Sequence, residues 1–529
     1  MSTKDESNAY EHAASNAGPW VFLFFACFLL LFCSGRLASG DANYQLRSAI
    51  LLARTGTLGS PTQVDKDAWV PSPNGYYYEP HDIGNSLLMF PSAYIALLAD
   101  HRPLENVIEK PPLIAKIGIS LTYALFSAIG CCCMYALFSL YNTRRIAFLM
   151  SLAFVVTTPY WAISRSAWDV LGSANGMAIF MWAVTKVWLA RKPAAKDIVW
   201  MLLGFAIAAS FRSSLLPFLG AAIAMILWLR RKSLTLQSLV PGGIAFCLAI
   251  APGLYYNYVR MGSPFKPAVA APQFINSGMN SFTGHYLDGL YGLYLSPNWG
   301  LLCFSPVFVL LLALPFIYGK LDAKLRMLAV ILAVAAAGYS VVFSSLMNWN
   351  GQMGWGSRYM VPPLPIFYFI LSVMFPYLWK AHRGILIFFV ALSFVLQVPS
   401  AFINWQQSSL DLTDLPLKDQ TRAQFAPVPR QQIAAWKGFL GGLAGKELPG
   451  PPSWDTDPNV RSLLQFPDLF LARIMRHSKA GVAGGSAALL LLLGLIIYSL
   501  RRIPGYESPV DSVPLHAADI AAPDYGSSR

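Results

Sequence analysis

Charged side chains are scarce in this chain. Asp, Glu, Lys and Arg make up 12% of its 529 residues, whereas hydrophobic residues make up 55%. A soluble domain would carry about twice that share of charge. The composition therefore excludes a soluble multidomain protein and predicts an all-α polytopic membrane protein.

Cysteine is also rare, and its placement excludes two uses. The seven cysteines lie inside or beside apolar segments, without the spacing of metal ligands, at positions 27, 33, 131, 132, 133, 247 and 303. We therefore expect small core residues rather than disulfides or a metal site.

Several motifs are absent as well. The chain contains no GxGxxG loop, Walker motif, zinc-ligand spacing or GxSxG elbow. Nucleotide-sugar chemistry at the cytoplasmic face therefore has no visible site. The formal net charge is +13, but many Lys and Arg residues lie in short linkers between apolar runs. That pattern is typical of topology determinants, so we predict no nucleic-acid partner.

Long uncharged apolar runs are what the chain has in quantity. Runs of about 17 to 25 residues predict membrane spans. About twelve are predicted, near residues 19–34, 113–141, 146–163, 170–190, 198–210, 215–229, 239–258, 300–318, 327–346, 360–378, 385–403 and 481–500. With a cytoplasmic N-terminus every inside linker is basic, which predicts both termini in the cytoplasm. Counting 83–99 as a span would invert this order, so we interpret it as an interfacial or re-entrant helix broken at Pro91.

These elements predict a simple layout. A cytoplasmic tail precedes a transmembrane core with a long first external loop, and an external segment with a juxtamembrane helix leads to the last span and a disordered cytoplasmic tail. The corresponding ranges are 1–18 for the first tail, 19–403 for the core, 35–112 for the loop, 404–480 for the external segment, 481–500 for the last span and 501–529 for the final tail.

The first external loop begins with an acid. Asp41 directly follows the first apolar run and precedes an amphipathic pattern that ends at Gly56. We predict that Asp41 lies at the membrane–water boundary as a catalytic carboxylate. An N-cap of the amphipathic helix is the alternative role, and the two roles are compatible.

The same loop later gathers more titratable groups, in the stretch 76–82. Glu79 and His81 are predicted to take part in catalysis, and Tyr77 and Asp82 to bind substrate, as is Tyr44 in the amphipathic helix. The alternatives are an interfacial aromatic belt for the tyrosines, solvated charges for the acids and a hydrogen-bonded loop residue for His81.

Two other external loops end in short motifs rich in aromatic residues. One is Leu295-Ser296-Pro297-Asn298-Trp299-Gly300, and the other includes Trp355-Gly356-Ser357-Arg358-Tyr359. A single Arg beside a membrane entry suits a lipid-borne phosphate. We predict substrate contacts for Trp299, Trp355, Arg358 and Tyr359. The alternative for Arg358 is an anchor that reaches lipid headgroups.

Taken together, the acid after the first span, the long loop with surface helices, the approach Glu79-Pro80-His81-Asp82-Ile83-Gly84 and the two aromatic motifs carry a family resemblance. The chain resembles the GT-C superfamily of integral-membrane glycosyltransferases, which includes protein O-mannosyltransferases and aminoarabinose transferases, over residues 19–403. It departs from the mannosyltransferases because Ala42, not Glu, follows Asp41, and it lacks the Trp-Trp-Asp signature of the oligosaccharyltransferases.

The resemblance implies an enzyme of a bacterial inner membrane that takes a sugar from a polyprenyl phosphate at the outer face and passes it to a glycan, lipid or protein acceptor. Asp41 would be the base, Glu79 and His81 would position the acceptor, and Arg358 with Arg47 or Arg54 would hold the phosphate. The sequence requires no cofactor, and the resemblance leaves a divalent cation open.

Two other classes of function remain open from the sequence. A transporter or flippase of lipid-linked sugars would also have about twelve spans, although we find no inverted repeat and few charges within the spans. A structural partner in a glycan-export complex is the third possibility.

Overall fold

The structure is a computed structural model, and it describes residues 3–37, 40–64, 69–165, 167–266, 282, 285–346, 349, 354–404, 427–446 and 466–503. The predicted tail after residue 503, most of the segment predicted at 404–480 and parts of the two aromatic-rich loops predicted to be external lie outside these residues.

Helices dominate the described chain. Those of the first half are α1 (Thr3–Phe32), α2 (Gly40–Thr55), α3 (Gly84–Ala99), α4 (Leu104–Glu109), α5 (Leu113–Phe138), α6 (Arg144–Val156), α7 (Tyr160–Ser164), α8 (Asp169–Leu189), α9 (Ala195–Phe211), α10 (Leu216–Arg230) and α11 (Leu236–Met261). Those of the second half are α12 (Tyr286–Tyr294), α13 (Leu301–Phe304), α14 (Leu314–Ile317), α15 (Ala323–Ser344), α16 (Leu364–Phe402), α17 (Arg430–Leu443), α18 (Phe470–His477) and α19 (Lys479–Arg502). Short 3₁₀ helices occur at Ser213–Leu215, Arg231–Ser233, Pro306–Ala313, Tyr318–Lys320 and Arg358–Met360.

The chain is an integral multi-pass membrane protein, and the predicted all-α class is confirmed. Within the described residues, seven helical segments are long and apolar enough to cross a bilayer, namely Leu113–Phe138, Asp169–Leu189, Ser213–Ser233, Leu236–Met261, Ala323–Ser344, Leu364–Phe402 and Lys479–Arg502. The only strands in this part of the chain, β1 (Val70–Pro71) and β2 (Tyr77–Tyr78), form an antiparallel ribbon in the loop between α2 and α3.

Other predicted spans take different forms. Ala17–Phe32 is a shorter apolar helix, and the span predicted at 146–163 is divided between α6 and α7. The spans predicted at 360–378 and 385–403 both lie in α16, which changes direction at His382, where φ is −142° and ψ is 34°. Because basic residues flank that bend, its sequence suits a cytoplasmic turn between two spans.

The centre of the bundle is α8, which is buried almost throughout and packs along α9. Glycines permit this close approach. A Cβ atom at Gly176 would lie 2.4 Å from the backbone nitrogen of Ala208, and one at Gly204 would lie 2.5 Å from that of Phe180. Small residues of this kind let membrane helices pack backbone to backbone. Gly176 and Gly204 therefore allow α8 and α9 to pack closely.

The amphipathic helix predicted after Asp41 is confirmed as α2. Its buried residues include Leu46, Ala49 and Ile50, which recur at helical spacing, and Gly56 ends the helix with a positive φ of 73°. However, the helix already begins at Gly40, so Asp41 lies inside the first turn and is not the N-cap. Its carboxylate is therefore turned to other partners.

The apolar run after the loop forms α3, as predicted, but the helix is not broken at Pro91. Proline fixes φ near the helical value and removes only one backbone donor, so a helix supported by its neighbours continues through it. The helix packs against α2 and α5.

A buried cluster of charges joins the chain before α18 to the bundle. Asp468 forms ion pairs with Arg36 at 2.7 Å, with Arg165 at 3.2 Å and with Arg473. The amide of Asp468 also donates to the carbonyl of Phe402 at 2.6 Å. The carboxylate of Asp468 thus connects the chain after α1, the chain after α7 and helix α18, and its backbone N–H adds the end of α16. The helix predicted before the last span is α18, which begins at Phe470.

Candidate functional site

Three predicted site residues from distant parts of the sequence meet at the start of α2. Arg358, in the 3₁₀ helix before α16, donates from Nη1 to Oδ2 of Asp41 at 2.9 Å. Nε2 of His81, which lies between β2 and α3, is 3.7 Å from the same Oδ2 atom. About a third of the Asp41 side chain is exposed, so a ligand can reach the carboxylate.

Glu79 fixes the position of His81 through two hydrogen bonds. Its side chain is completely buried, and Oε2 accepts from both the backbone N–H of His81 at 2.9 Å and Nδ1 of its ring at 2.8 Å. Arg260, at the end of α11, fixes the same loop because Nη1 donates to the carbonyls of Glu79 at 3.0 Å and His81 at 2.6 Å. The imidazole therefore has one orientation, with Nε2 directed at Asp41.

The charged groups of this site shift one another's pKa values. Burial lowers the pKa of His81, but the negative charge of Asp41 and the hydrogen bond and charge of Glu79 outweigh burial and raise it to about 9. Burial raises the pKa of Asp41, but the cations His81 and Arg358 bring it below its usual value. At neutral pH the site therefore contains an imidazolium, a guanidinium and a carboxylate.

Two neighbouring charges were not predicted as site residues. Asp169, the first residue of α8, forms an ion pair with Arg212 at 3.1 Å, and the guanidinium of Arg212 lies 4.8 Å from the ring of Tyr359. Asp82 accepts from the backbone N–H of Ser213 at 2.7 Å. Arg212 could have been recognised in the sequence as a lone arginine in the turn after α9. Asp169 could not, because it directly precedes an apolar run and resembles a residue at the end of a span.

Trp299 and Trp355 need a correction. Both side chains are fully buried, with 0% exposure, so neither presents a surface to a substrate. The indole N–H of Trp355 donates to Oε1 of Gln397 at 2.7 Å, and Trp299 packs edge to face on Trp349 with 6.1 Å between ring centroids. We therefore assign them to the support of the loop that presents Arg358.

The structure does not bring Arg47 and Arg54 into the group. Nε of Arg47 donates to the carbonyl of Ile108 at 3.1 Å, and Arg54 donates to the carbonyl of Asp100. In the described residues no hydrogen bond links either arginine to Asp41. The ring of Tyr44 lies 5.8 Å from the guanidinium of Arg47 on the same side of α2.

Tyr77 and Tyr359 occupy different surroundings. Tyr77 is part of the ribbon and exchanges backbone hydrogen bonds with Ser60 at 2.8 and 2.9 Å. Tyr359 is 8% exposed and lies beside Arg358 and Arg212. Of these two tyrosines, Tyr359 is therefore the one in contact with the cations of the site.

The donor set does not favour a divalent cation. Among the described residues no group of three or more His, Cys, Asp or Glu side chains is placed to hold a metal ion. Asp41 is already faced by Arg358 and by a protonated His81, whose positive charges would repel a metal.

The raised pKa of His81 predicts a pH dependence of stability. A histidine whose pKa rises from 6.5 to about 9 on folding adds stability that is complete below pH 6.5 and is lost as the pH rises through 9. We expect the thermal midpoint of the purified protein to fall between pH 7 and pH 10, and His81→Gln to remove part of that fall. His101→Gln, at an exposed position in the same loop, is the control. Equal pH profiles for wild type and His81→Gln would contradict the prediction.

Comparisons with known proteins found few similarities. No protein-family model and no curated protein matches the chain. Among solved structures, ArnT from Cupriavidus metallidurans bound to undecaprenyl phosphate is 14% identical with a TM-score of 0.48, and ArnT from the same organism in the apo state is 13% identical with a TM-score of 0.43. In both cases the match covers 94% of this chain and 77% of the other. These values are too low to carry an inference about activity, so the side chains of the site must indicate the chemistry.

Proposed function

We propose that this protein is a membrane glycosyltransferase that moves a sugar from a polyprenyl-phosphate donor to an acceptor hydroxyl at the external face. The contact between the carboxylate of Asp41 and the guanidinium of Arg358 is the observation that carries the proposal. Transfer from a sugar phosphate needs a base for the acceptor proton and a cation for the departing phosphate. This group supplies both at the edge of the bundle, and the basic linkers of the opposite face support an external site.

In the proposed reaction Arg358 contacts first Asp41 and then the phosphate of the donor. The acceptor oxygen attacks the anomeric carbon, the bond from that carbon to the phosphate oxygen breaks with its electron pair, and the acceptor proton passes to Asp41. A guanidinium binds a phosphate with two parallel hydrogen bonds. When Arg358 turns toward the donor phosphate, Asp41 loses a cation that lowers its pKa. The carboxylate therefore becomes a stronger base once the donor is bound.

His81 has a different role from the base. Its raised pKa keeps the ring protonated, so Nε2 can donate a hydrogen bond to a phosphate oxygen or to the acceptor. Glu79 stabilises that charge and fixes the ring. His81 and Arg358 together would place two positive charges beside the leaving phosphate.

Arg358→Ala tests the donor site. The variant should bind undecaprenyl phosphate more weakly by about 1.5–3 kcal/mol, because a charge-assisted contact is lost. Arg358→Lys should recover only part of the affinity, because an ammonium cannot form the planar pair of hydrogen bonds. Binding is measured on purified protein in detergent, with Arg326→Ala in the first turns of α15 as the matched arginine control.

Lipid analysis then tests the transfer itself. A strain lacking the gene should accumulate a polyprenyl-phosphate sugar, and wild-type protein or Arg326→Ala should remove it. If Arg358→Ala removed the accumulated lipid as well as the wild-type protein does, the assignment of this residue would be overturned. A deletion strain with an unchanged set of lipid-linked sugars would overturn the glycosyltransferase.

A further inference from the structure

A second charged feature lies on the other side of α2. A cleft of about 840 Å³ separates α2, α4 and the beginning of α5. It is lined by Gly40, Asn43, Tyr44, Arg47, Arg102, Asn106, Glu109, Lys110, Pro111 and Lys116. The α2 residues of this lining lie at positions 40, 43, 44 and 47, so the pairs 40/43, 40/44, 43/47 and 44/47 are three or four positions apart and the residues form one face of the helix. Asp41 is not part of that face.

The cleft is basic. Four of its lining residues are Lys or Arg and one is acidic. Arg102 is neutralised because it forms a bidentate pair with Asp100, at 2.6 Å between Nη2 and Oδ2. In the part of the chain that the structure describes, neither Lys110 nor Lys116 forms an ion pair. Arg47, Lys110 and Lys116 therefore leave an excess of positive charge against Glu109 alone.

These three cations come from different elements. Arg47 is held in place by its hydrogen bond to the carbonyl of Ile108, Lys110 follows α4, and Lys116 lies in the first turns of α5. The positive end of the dipole of α5, a helix of 26 residues, borders the same cleft. Gly40 leaves open space at the start of α2, since a Cβ atom there would meet nothing within 4 Å. An anion can therefore approach the backbone of α2.

Two exposed apolar residues lie in the sequence between Pro111 and Lys116, which line the cleft. Leu113 and Ile114, at the start of the span α5, are 68% and 60% exposed. Exposed aliphatic side chains at the end of a membrane span face lipid, so the cleft lies at the level of the headgroups. Lysines and arginines at that level attract phosphate groups.

We propose that this cleft is a second phosphate-binding site, separate from the site at Asp41 and Arg358, and that it binds the phosphate monoester of an anionic lipid. The proposal rests on the charge and position of the cleft and does not depend on the transfer reaction. A free phosphate or pyrophosphate shares the same chemistry, and the experiment distinguishes these sources.

The test uses the full-length purified protein in detergent. Dihexanoyl phosphatidic acid, dihexanoyl phosphatidylcholine and inorganic pyrophosphate are titrated separately, and binding is followed by the shift in thermal midpoint. We expect phosphatidic acid to bind and phosphatidylcholine to have no effect. The double variant Lys110→Gln/Lys116→Gln should lower the affinity for phosphatidic acid at least tenfold, because each lost charged contact corresponds to about that factor. Arg47→Gln should weaken it as well.

Lys192→Gln/Lys196→Gln is the matched control, because both lysines are exposed in the linker before and at the start of α9 and the change in charge is equal. Its affinity for phosphatidic acid should equal that of wild type. If pyrophosphate binds with the same loss in Lys110→Gln/Lys116→Gln while phosphatidic acid does not bind, the site takes a soluble phosphoryl group and the lipid assignment is wrong. Equal affinities in wild type and in both cleft variants, or equal binding of phosphatidylcholine, would overturn the site itself.

Discussion

Asp41→Asn should reduce sugar transfer by about 10²- to 10⁴-fold, the contribution commonly made by a general base. Asn has nearly the size of Asp but cannot accept the acceptor proton. The donor phosphate should still bind, and should bind somewhat more tightly, because Arg358 loses the carboxylate to which it donates at 2.9 Å. The measurement is the rate of transfer in proteoliposomes together with the affinity for undecaprenyl phosphate.

Asp288→Asn is the matched control for this change. Asp288 is an exposed acid in the first turn of α12, as Asp41 is an acid in the first turn of α2. It should leave transfer unchanged. Asp41→Glu should retain a small fraction of the activity at most, because the added methylene moves the carboxylate away from the acceptor. Transfer by Asp41→Asn near the wild-type rate would show that Asp41 is not the base, whatever happens to the affinity.

The sequence predicted the local part of this site well. The helical spacing of Leu46, Ala49 and Ile50 and the glycine after them were enough to place α2, and the first apolar run placed Asp41 beside it. The contact with Arg358 could not be predicted from spacing, because the two residues are 317 positions apart. Arg358 was identified only as a lone cation beside a membrane span.

Residue type alone did not show that Trp299 and Trp355 are buried. A tryptophan in a glycine-rich loop suits either a ligand or a buried contact, and burial decides between them. Trp355 donates to Gln397, a polar residue inside α16, and such a partner is invisible until the helices are packed. The family resemblance implied a phosphate contact for Arg47 or Arg54, but Arg47 donates to a carbonyl of α4 and Arg54 to the carbonyl of Asp100 after α3.

The cluster around Asp468 could not be predicted from the sequence either, because its distant partners Arg36, Arg165 and Phe402 come from three separated segments. Arg165 has partners in several of these segments. Its guanidinium donates to the carbonyls of Phe32 and Ile403, each at 2.8 Å, and pairs with Asp468. Arg36, five residues before Asp41, pairs with the same carboxylate. The cluster therefore fixes the chain that leads into α2 and so supports the site.

Removing the charge of Asp468 should lower the free energy of unfolding by about 3–5 kcal/mol, the usual cost of leaving buried partners of an ion pair uncompensated. Asp468→Asn keeps the shape of the side chain but leaves Arg36 and Arg165, which are 7% and 3% exposed, without their counter-charge. The measurement is unfolding by SDS in mixed micelles. Asp468→Glu should recover part of the loss because the charge is kept.

Asp100→Asn provides the contrast, because Asp100 pairs with Arg102 at the surface and water can replace the lost partner. Its unfolding curve should stay close to that of wild type. Because Arg36 lies just before α2, Asp468→Asn should also impair transfer, and Asp468→Glu should restore stability and transfer together. If Asp468→Asn unfolded like Asp100→Asn, the buried cluster would contribute no net stability. The position of α2 would then depend on its packing against α3 and α4 and on the contact between Asp41 and Arg358.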